Sequence, residues 1–314
     1  MNNNCLVTGG AGFIGASIVR LLKSKGYDVI VVDDLSNSDG KMINELDVEL
    51  FKGDISKPEI IDLLKPYTFK YIFNFGSPST DRFYDLTGRG VCETIKGMLN
   101  IAQIAESTGV NSVVYPSSGT VYGNLPAPQS ESVKLKPKSL YACTKSFLED
   151  FSATVASETT KYLGLRIFTG FGEGELAKVE FSRSVITLFY LSILKNLSPV
   201  IYGDGSQRRD FVYSSDIANI ALLGAEKKLS GALNVGSGIS HSFNEVIEIL
   251  SERLGKRVIP KYIESPISHI GETRADISSL LNLLNYKPLR LEEAIDLYLE
   301  RIKPVEKLYG VWNS

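Results

Sequence analysis

Tyr141 and Lys145 stand four residues apart in the stretch YACTK. On a helix that spacing stacks a phenol and an ammonium on one face, one turn from each other. A free phenol titrates near pH ~10 and is protonated at neutral pH. Beside a cation it is held more readily as phenolate, the form that takes a proton from a hydroxyl. Cys143 lies between the two, but no histidine is near in sequence to activate it. In an arbitrary chain a Tyr and a Lys at this spacing are usually coincidental, so the surrounding elements must decide.

The composition narrows the chemistry. His241 and His269 are the two histidines of the 314 residues. Histidine triads and multi-histidine metal centres are therefore hard to build, and a general base must come from a carboxylate, Lys or Tyr. Cys5, Cys92 and Cys143 are scattered without metal spacing, as expected of reduced thiols in the cytoplasm. The net charge of −2 and the lack of a basic block argue against nucleic acid or an anionic membrane as partner. No apolar run is long enough to span a bilayer. The start MNNNCLVTGG has no basic segment followed by a hydrophobic one, so secretion is not expected and the cytoplasm is.

The elements that must position the pair follow from periodicity. Apolar runs in NCLVT, YDVIVVDDL, DVELFKGDI, KYIFNFGSP, NSVVYPSS and YLGLRIF read as strands. Between them, FIGASIVRLLKSKG, EIIDLLKPY, VCETIKGMLNIAQIAESTG and SLYACTKSFLEDFSATVASETT have helical spacing. Strand and helix alternate, and the strands are apolar on both sides. The expected fold is α/β, a doubly wound parallel sheet with helices on both faces. After about Phe168 the regularity loosens. A smaller carboxy-terminal lobe over 169–314 is expected beside a nucleotide-binding domain over 1–168, to which segments near 208–238 return. The strands SPVIYGDG and GALNVGSG and the helices SSDIANIALLGAEKK, FNEVIEILSERLG and LEEAIDLYLERI fall in this part.

TGGAGFIG sits where the first strand gives way to the first helix. Gly9, Gly12 and Gly15 allow a tight turn, backbone approach to a pyrophosphate and close helix–strand packing. The amino end of the helix favours phosphate oxygens. The second strand ends at Asp33, about 20 residues on, where a carboxylate binds both ribose hydroxyls and repels a 2′-phosphate. NAD is therefore expected over NADP. Asp54 and Ile55, after the third strand, are candidates to flank the adenine. Ligands of such sheets bind beyond the carboxyl ends of the strands, which is where YPSSGTVYG delivers Ser117, Ser118 and Thr120. Alone, those serines read as a hydrogen-bonded loop. Ahead of Tyr141 and Lys145 they read as a site.

The order TGGAGFIG, an acid after strand two, SSGTVYG and YACTK resembles the extended short-chain dehydrogenase/reductase family, in particular its NAD-dependent nucleotide-sugar epimerases and dehydratases. YGDGSQRRDFVYSSDIA, LNVGSG and ETRADISSLLNLLNYKP resemble that family's later segments, so the likeness runs from Cys5 to about Pro288. It implies a Rossmann-type fold with NAD. Tyr141 would be the base acting on a sugar hydroxyl, Lys145 the ligand of the nicotinamide ribose, and Ser118 a partner of the same hydroxyl. Lowering a phenol by about 3 units takes about 4 kcal/mol, within reach of an ammonium and a positive nicotinamide together. The implied cofactor contacts also include Phe13, Ile14, Asp34, Leu35, Ser36, Gly76 and Ser77. Implied substrate contacts are Ser79, Thr120, Thr169, Glu180, Phe181 and Tyr202, with Arg209 and Arg274 clamping a diphosphate.

Relatives that eliminate water carry an Asp-Glu pair after the catalytic Thr, and decarboxylases carry a Glu close behind it. Here Ser118 is followed by Gly119 and Thr120. The resemblance thus points to 4-epimerisation of a UDP-hexose through a 4-keto sugar. The SP of NFGSPST is shared with the decarboxylase branch, which keeps a UDP-glucuronate decarboxylase open. A reductase that releases its cofactor and a non-catalytic NAD-sensing regulator are further alternatives. Asn74, Gly76, Thr94 and Thr169 depart from the family's usual residues. The helices around 89–108 and 141–159 resemble those the family pairs into a homodimer.

Overall fold

The computed structural model describes residues 3–79, 81–178, 183–264 and 271–311. The first half alternates as its periodicity requires: β1 (Asn4–Thr8), α1 (Phe13–Ser24), β2 (Asp28–Asp33), β3 (Glu49–Lys52), α2 (Glu59–Leu64) and β4 (Tyr71–Asn74). It continues with α3 (Arg89–Thr108), β5 (Ser112–Ser118), α4 (Leu140–Val155) and β6 (Lys161–Ile167). These strands, with one later strand, form a seven-stranded parallel sheet.

Alternate residues of each strand serve opposite faces. Val7, Val31, Phe73 and Val114 face one core with α1, while Leu6, Val32, Ile72 and Val113 face another built on α2, α3 and α4. Both faces are buried, which is why the strands read as continuous apolar runs. The helix α3 stops at Gly109, which adopts a left-handed φ of 63°. The helix α4 starts at Ser139, whose side chain accepts from the Ala142 amide. It ends at Val155, short of the length its pattern suggests. Beyond it the Ser157 hydroxyl accepts from the Thr160 amide at 3.0 Å, a local bond that competes with helix.

The second half carries β7 (Thr169–Phe171), α5 (Val185–Leu194), β8 (Val200–Tyr202), β9 (Arg208–Tyr213), α6 (Ser214–Glu226) and β10 (Gly231–Val235). Then come β11 (Ser240–Ser242), α7 (Phe243–Leu254), β12 (Lys261–Ile263), β13 (Glu272–Thr273), α8 (Ser278–Leu284) and α9 (Leu291–Leu308). β10 joins the large sheet beside β6, giving the order β3-β2-β1-β4-β5-β6-β10. Its neighbours in sequence do not: β7, β9, β11 and β13 form a small mixed sheet, and β8 pairs β12. A third core of Phe171, Phe189, Phe211, Leu250 and Tyr298 joins α5, α7 and α9 to that sheet. The strand order reverses between β1 and β4, and a crevice opens there at the carboxyl ends. Among the described residues no helix is long and apolar enough to cross a membrane.

Candidate active site

The turn from β1 to α1 forms the floor of this crevice. Gly9 has a φ of +64°, and a Cβ on Gly15 would lie 1.9 Å from the Gly9 carbonyl oxygen, so neither position accepts a side chain. Gly12 differs. A Cβ there would meet only the Gly9 oxygen, at 3.2 Å, yet Gly12 lines the cleft and precedes α1, which has no side-chain cap. The space beside Gly12 and the uncapped amides of α1 make a cradle for a phosphate group. Asp33, at the end of β2, is buried and accepts from the amides of Ala11 and Leu35, each at 2.9 Å. Burial pushes its carboxyl upward and these amides offset part of that. The cleft has a volume of about 780 Å³ and runs from Asp33, Asp34 and Ser36, past Asp54 and Ile55, to Ser118, Tyr141 and Lys145. Its length, glycine floor and terminal carboxylate fit a dinucleotide.

Three elements converge on the reacting end. Ser118 ends β5 in extended conformation, and its hydroxyl accepts from the Thr120 amide at 3.2 Å and the Thr120 hydroxyl at 3.0 Å. Tyr141, in the first turn of α4, faces the Ser118 side chain, whose hydroxyl favours the ionised phenol. Lys145 lies one turn on, buried, with Nζ 5.5 Å from the centre of the Tyr141 ring. It donates to the Ser77 hydroxyl at 3.3 Å. Behind them, Arg166 on β6 forks onto Glu149 of α4 at 3.0 and 2.7 Å, and donates to the Tyr122 hydroxyl at 2.8 Å. This buried network ties α4 to β6 and to the turn that follows β5.

The electrostatics differ from the sequence expectation in one respect. Burial dominates both groups: the Tyr141 phenol is pushed up to about 12, with Ser118 offsetting part of the rise and the charge of Asp81 adding to it. The Lys145 ammonium is pushed down to about 7. Without the cofactor's charge, the desolvated pair favours neutral phenol and neutral amine, so ammonium alone does not produce phenolate.

Gly9, Gly12, Phe13, Ile14, Gly15, Gly76, Ser77, Ser79 and Thr120 also line the cleft. Leu35 does not; it adopts a left-handed φ of 58° and packs against the core. Ser117 lines the cleft as expected, while its hydroxyl donates to Glu149 at 2.5 Å. Thr169 lies on β7, and its neighbours Phe168 and Gly170 line the cleft instead. Tyr202 is half exposed on β8. Arg209 donates to the Arg208 carbonyl at 2.8 Å with its guanidinium 5.8 Å from the Phe243 ring centre, and Arg274 pairs with Glu272 at 3.1 Å. None of these four lines the cleft that holds Tyr141. Glu180 and Phe181 lie outside the described residues. Asp81, Arg82, Arg89 and Lys178 line the cleft and were not anticipated. They sit on connecting segments or element ends, where no periodicity reveals which way a side chain turns.

Comparison with known proteins agrees with this geometry. The chain is 33% identical over 303 residues to a putative UDP-glucose 4-epimerase of Methanocaldococcus jannaschii, covering 92% of this chain and 95% of that one. The structure of UDP-glucose 4-epimerase from Thermotoga maritima with UDP-glucose matches with a TM-score of 0.89 at 27% identity, covering 96% of this chain and 99% of that one. UDP-N-acetylglucosamine 4-epimerase from Methanobrevibacter ruminantium matches with a TM-score of 0.84 at 32% identity, covering 95% and 96%. The NAD dependent epimerase/dehydratase family matches residues 5–236, the span that builds the glycine floor, Asp33 and the Ser118–Tyr141–Lys145 cluster. With NAD as its cofactor, the chain belongs to the NAD dependent epimerase/dehydratase family.

Proposed function

We propose that this protein epimerises a UDP-hexose at C4 through a 4-keto intermediate. The observation that carries the reading is the meeting of Ser118, Tyr141 and Lys145 at one end of a dinucleotide cleft. NAD, when bound, supplies a hydride acceptor and a positive ring. Tyr141 receives the C4 hydroxyl proton and later returns it, while Ser118 holds the same hydroxyl and Lys145 holds the nicotinamide ribose. Asp33 binds the adenosine ribose and selects against a 2′-phosphate. Neither residue following Ser118, Gly119 or Thr120, offers a carboxyl group for elimination or decarboxylation, and the Thr120 hydroxyl donates to Ser118 instead.

The names of the relatives support this reading, and one of them, a UDP-glucuronate 4-epimerase of Thermodesulfobacterium geofontis at 30% identity, widens the choice of sugar. The cofactor lobe comprises 1–168 with the returning β10, and the remainder forms the substrate lobe. Arg209 and Arg274, on that lobe, supply the cations for the substrate's diphosphate. Two copies pair through α3 and α4. The test is proton NMR of the purified protein with UDP-glucose, UDP-galactose, their N-acetylated forms and UDP-glucuronate, without added cofactor. A 4-epimer mixture reached from either side is expected. UDP-xylose from UDP-glucuronate would move the assignment to decarboxylation. No change in any tube, with NAD supplied, would remove the UDP-hexose reading.

A further inference from the structure

The segment between β4 and α3 is fastened to the first turn of α4 at two points. Asp81 accepts a hydrogen bond from the Ser139 hydroxyl at 2.5 Å, and Ser139 is the residue that caps α4 two positions before Tyr141. Tyr84 lays its ring edge-on to the Tyr141 ring, with centres 5.0 Å apart and planes at 70°. Tyr84 is itself held: its hydroxyl donates to the Pro78 carbonyl at 3.0 Å and lies 2.6 Å from the Thr94 hydroxyl on α3. Gly90 makes room for this, since a Cβ there would lie 2.2 Å from the Phe83 carbonyl oxygen and 3.4 Å from the Tyr84 ring. Thr94, one of the departures from the family pattern, thus has a partner of its own size.

We infer that Asp81 and Tyr84 are positioning residues for Tyr141: Tyr84 fixes the plane of its ring, and Asp81 fixes the start of α4 while bringing a carboxylate to the cleft that Tyr141 lines. The inference rests on Tyr141 being the base. Among the described residues, few groups face Tyr141. Lys145 comes from α4 itself, Asp81 and Tyr84 from the β4–α3 segment, and neutral Ser118 from β5, with Glu93 of α3 facing Tyr84. Among the described residues, Asp81 is the carboxylate whose charge bears on the phenol, and it acts against ionisation. Its charge opposes that of the cofactor ring and so limits how far that ring lowers the phenol, which must be ionised when the C4 hydroxyl arrives and neutral once it has taken the proton.

Asp81→Asn keeps an acceptor for Ser139 and removes the charge, whereas Asp81→Glu keeps the charge. Phenolate absorbance of the NAD-loaded protein is titrated for each, with the Tyr141→Phe counterpart subtracted. The Asn variant is expected to ionise at a pH lower by about half a unit or more, and the Glu variant to stay with wild type. The acid limb of UDP-glucose turnover against pH moves the same way. Tyr84→Leu is expected to lower kcat by about tenfold or more with KM little changed. An Asn midpoint that stays in place or rises would overturn the role of Asp81, and an unchanged kcat in Tyr84→Leu that of Tyr84. Full turnover by Tyr141→Phe would instead bring down the base assignment itself, a failure separable from the other two.

Discussion

Two glycines three residues apart have different reasons for lacking a side chain, and substituting each should separate folding from cofactor binding. In Gly15→Ala the new methyl would lie 1.9 Å from the Gly9 carbonyl oxygen and within 2.9 Å of the Gly10 Cα. Backbone atoms cannot yield as a flexible side chain can, so the turn must open. Overpacking of this kind costs about 1–3 kcal/mol or more. At about 2 °C of Tm per kcal/mol for a chain of this size, the expected fall is about 2–6 °C or more. In Gly12→Ala the nearest atom is the Gly9 oxygen at 3.2 Å, which a small adjustment relieves, so Tm should move by about 1 °C or less. Its methyl instead occupies the cradle above the uncapped end of α1. Losing one charge-assisted hydrogen bond to a phosphate costs about 1.5–3 kcal/mol, a loss of about 10- to 100-fold in NAD affinity. Thermal unfolding of the cofactor-free proteins and equilibrium titration with NAD read the two effects. A Gly12→Ala protein that binds NAD as wild type does would refute the cradle. A Gly15→Ala protein with unchanged Tm would refute the packing argument.

Other expectations concern the charges around the cluster. Burial lowers Lys145 from 10.5 to about 7, so between those values the unfolded chain binds more protons and the cofactor-free fold gains stability as pH rises. Lys145→Met should therefore gain most over wild type at or below pH ~7 and lose that advantage as the pH climbs, as Tm measured across this range would show. A constant difference between the two proteins would contradict the buried amine. Glu149→Ala leaves the Arg166 guanidinium buried without its partner, at a cost of about 3–5 kcal/mol, or about 6 °C of Tm or more, and a Glu149→Met/Arg166→Met double variant should recover much of it. Equal loss in single and double variants would show that packing, not charge, is what Glu149 supplies. Asp33→Asn should weaken NAD and narrow its advantage over NADP in parallel titrations; an unaltered preference would remove Asp33 from selecting the cofactor.

What could be read from the chain was local. The glycines of TGGAGFIG act within seven residues, and Tyr141 and Lys145 share one helix turn, so spacing was enough to place them. The buried parallel strands announced themselves as continuous apolar runs because both faces of the sheet are covered. The missed elements lack such a signal. β11 and β13 are short, β9 takes its pairing from distant segments, and RRDFVY shows no simple alternation. The contacts that hold the cluster join residues far apart in sequence: Ser77 with Lys145, Asp81 with Ser139, and Ser117 with Glu149. Nor could spacing give the direction in which Tyr141 and Lys145 titrate. Two charges in water would stabilise each other, but withdrawal from water depends on how the whole cleft closes around them. The departures noted in the sequence also found physical partners only in three dimensions. Thr94 meets Tyr84, and Asn74 accepts from the Thr8 hydroxyl at 2.7 Å.

In the proposed reaction hydride leaves C4 of the sugar and returns to the same carbon on the opposite face without exchanging with solvent. UDP-glucose deuterated at C4, incubated with the protein as purified in ordinary water, tests it most directly. UDP-galactose with deuterium still at C4, formed without added cofactor, is the expected product. Product carrying hydrogen from water at C4, or inverted at another carbon, would contradict the proposed reaction.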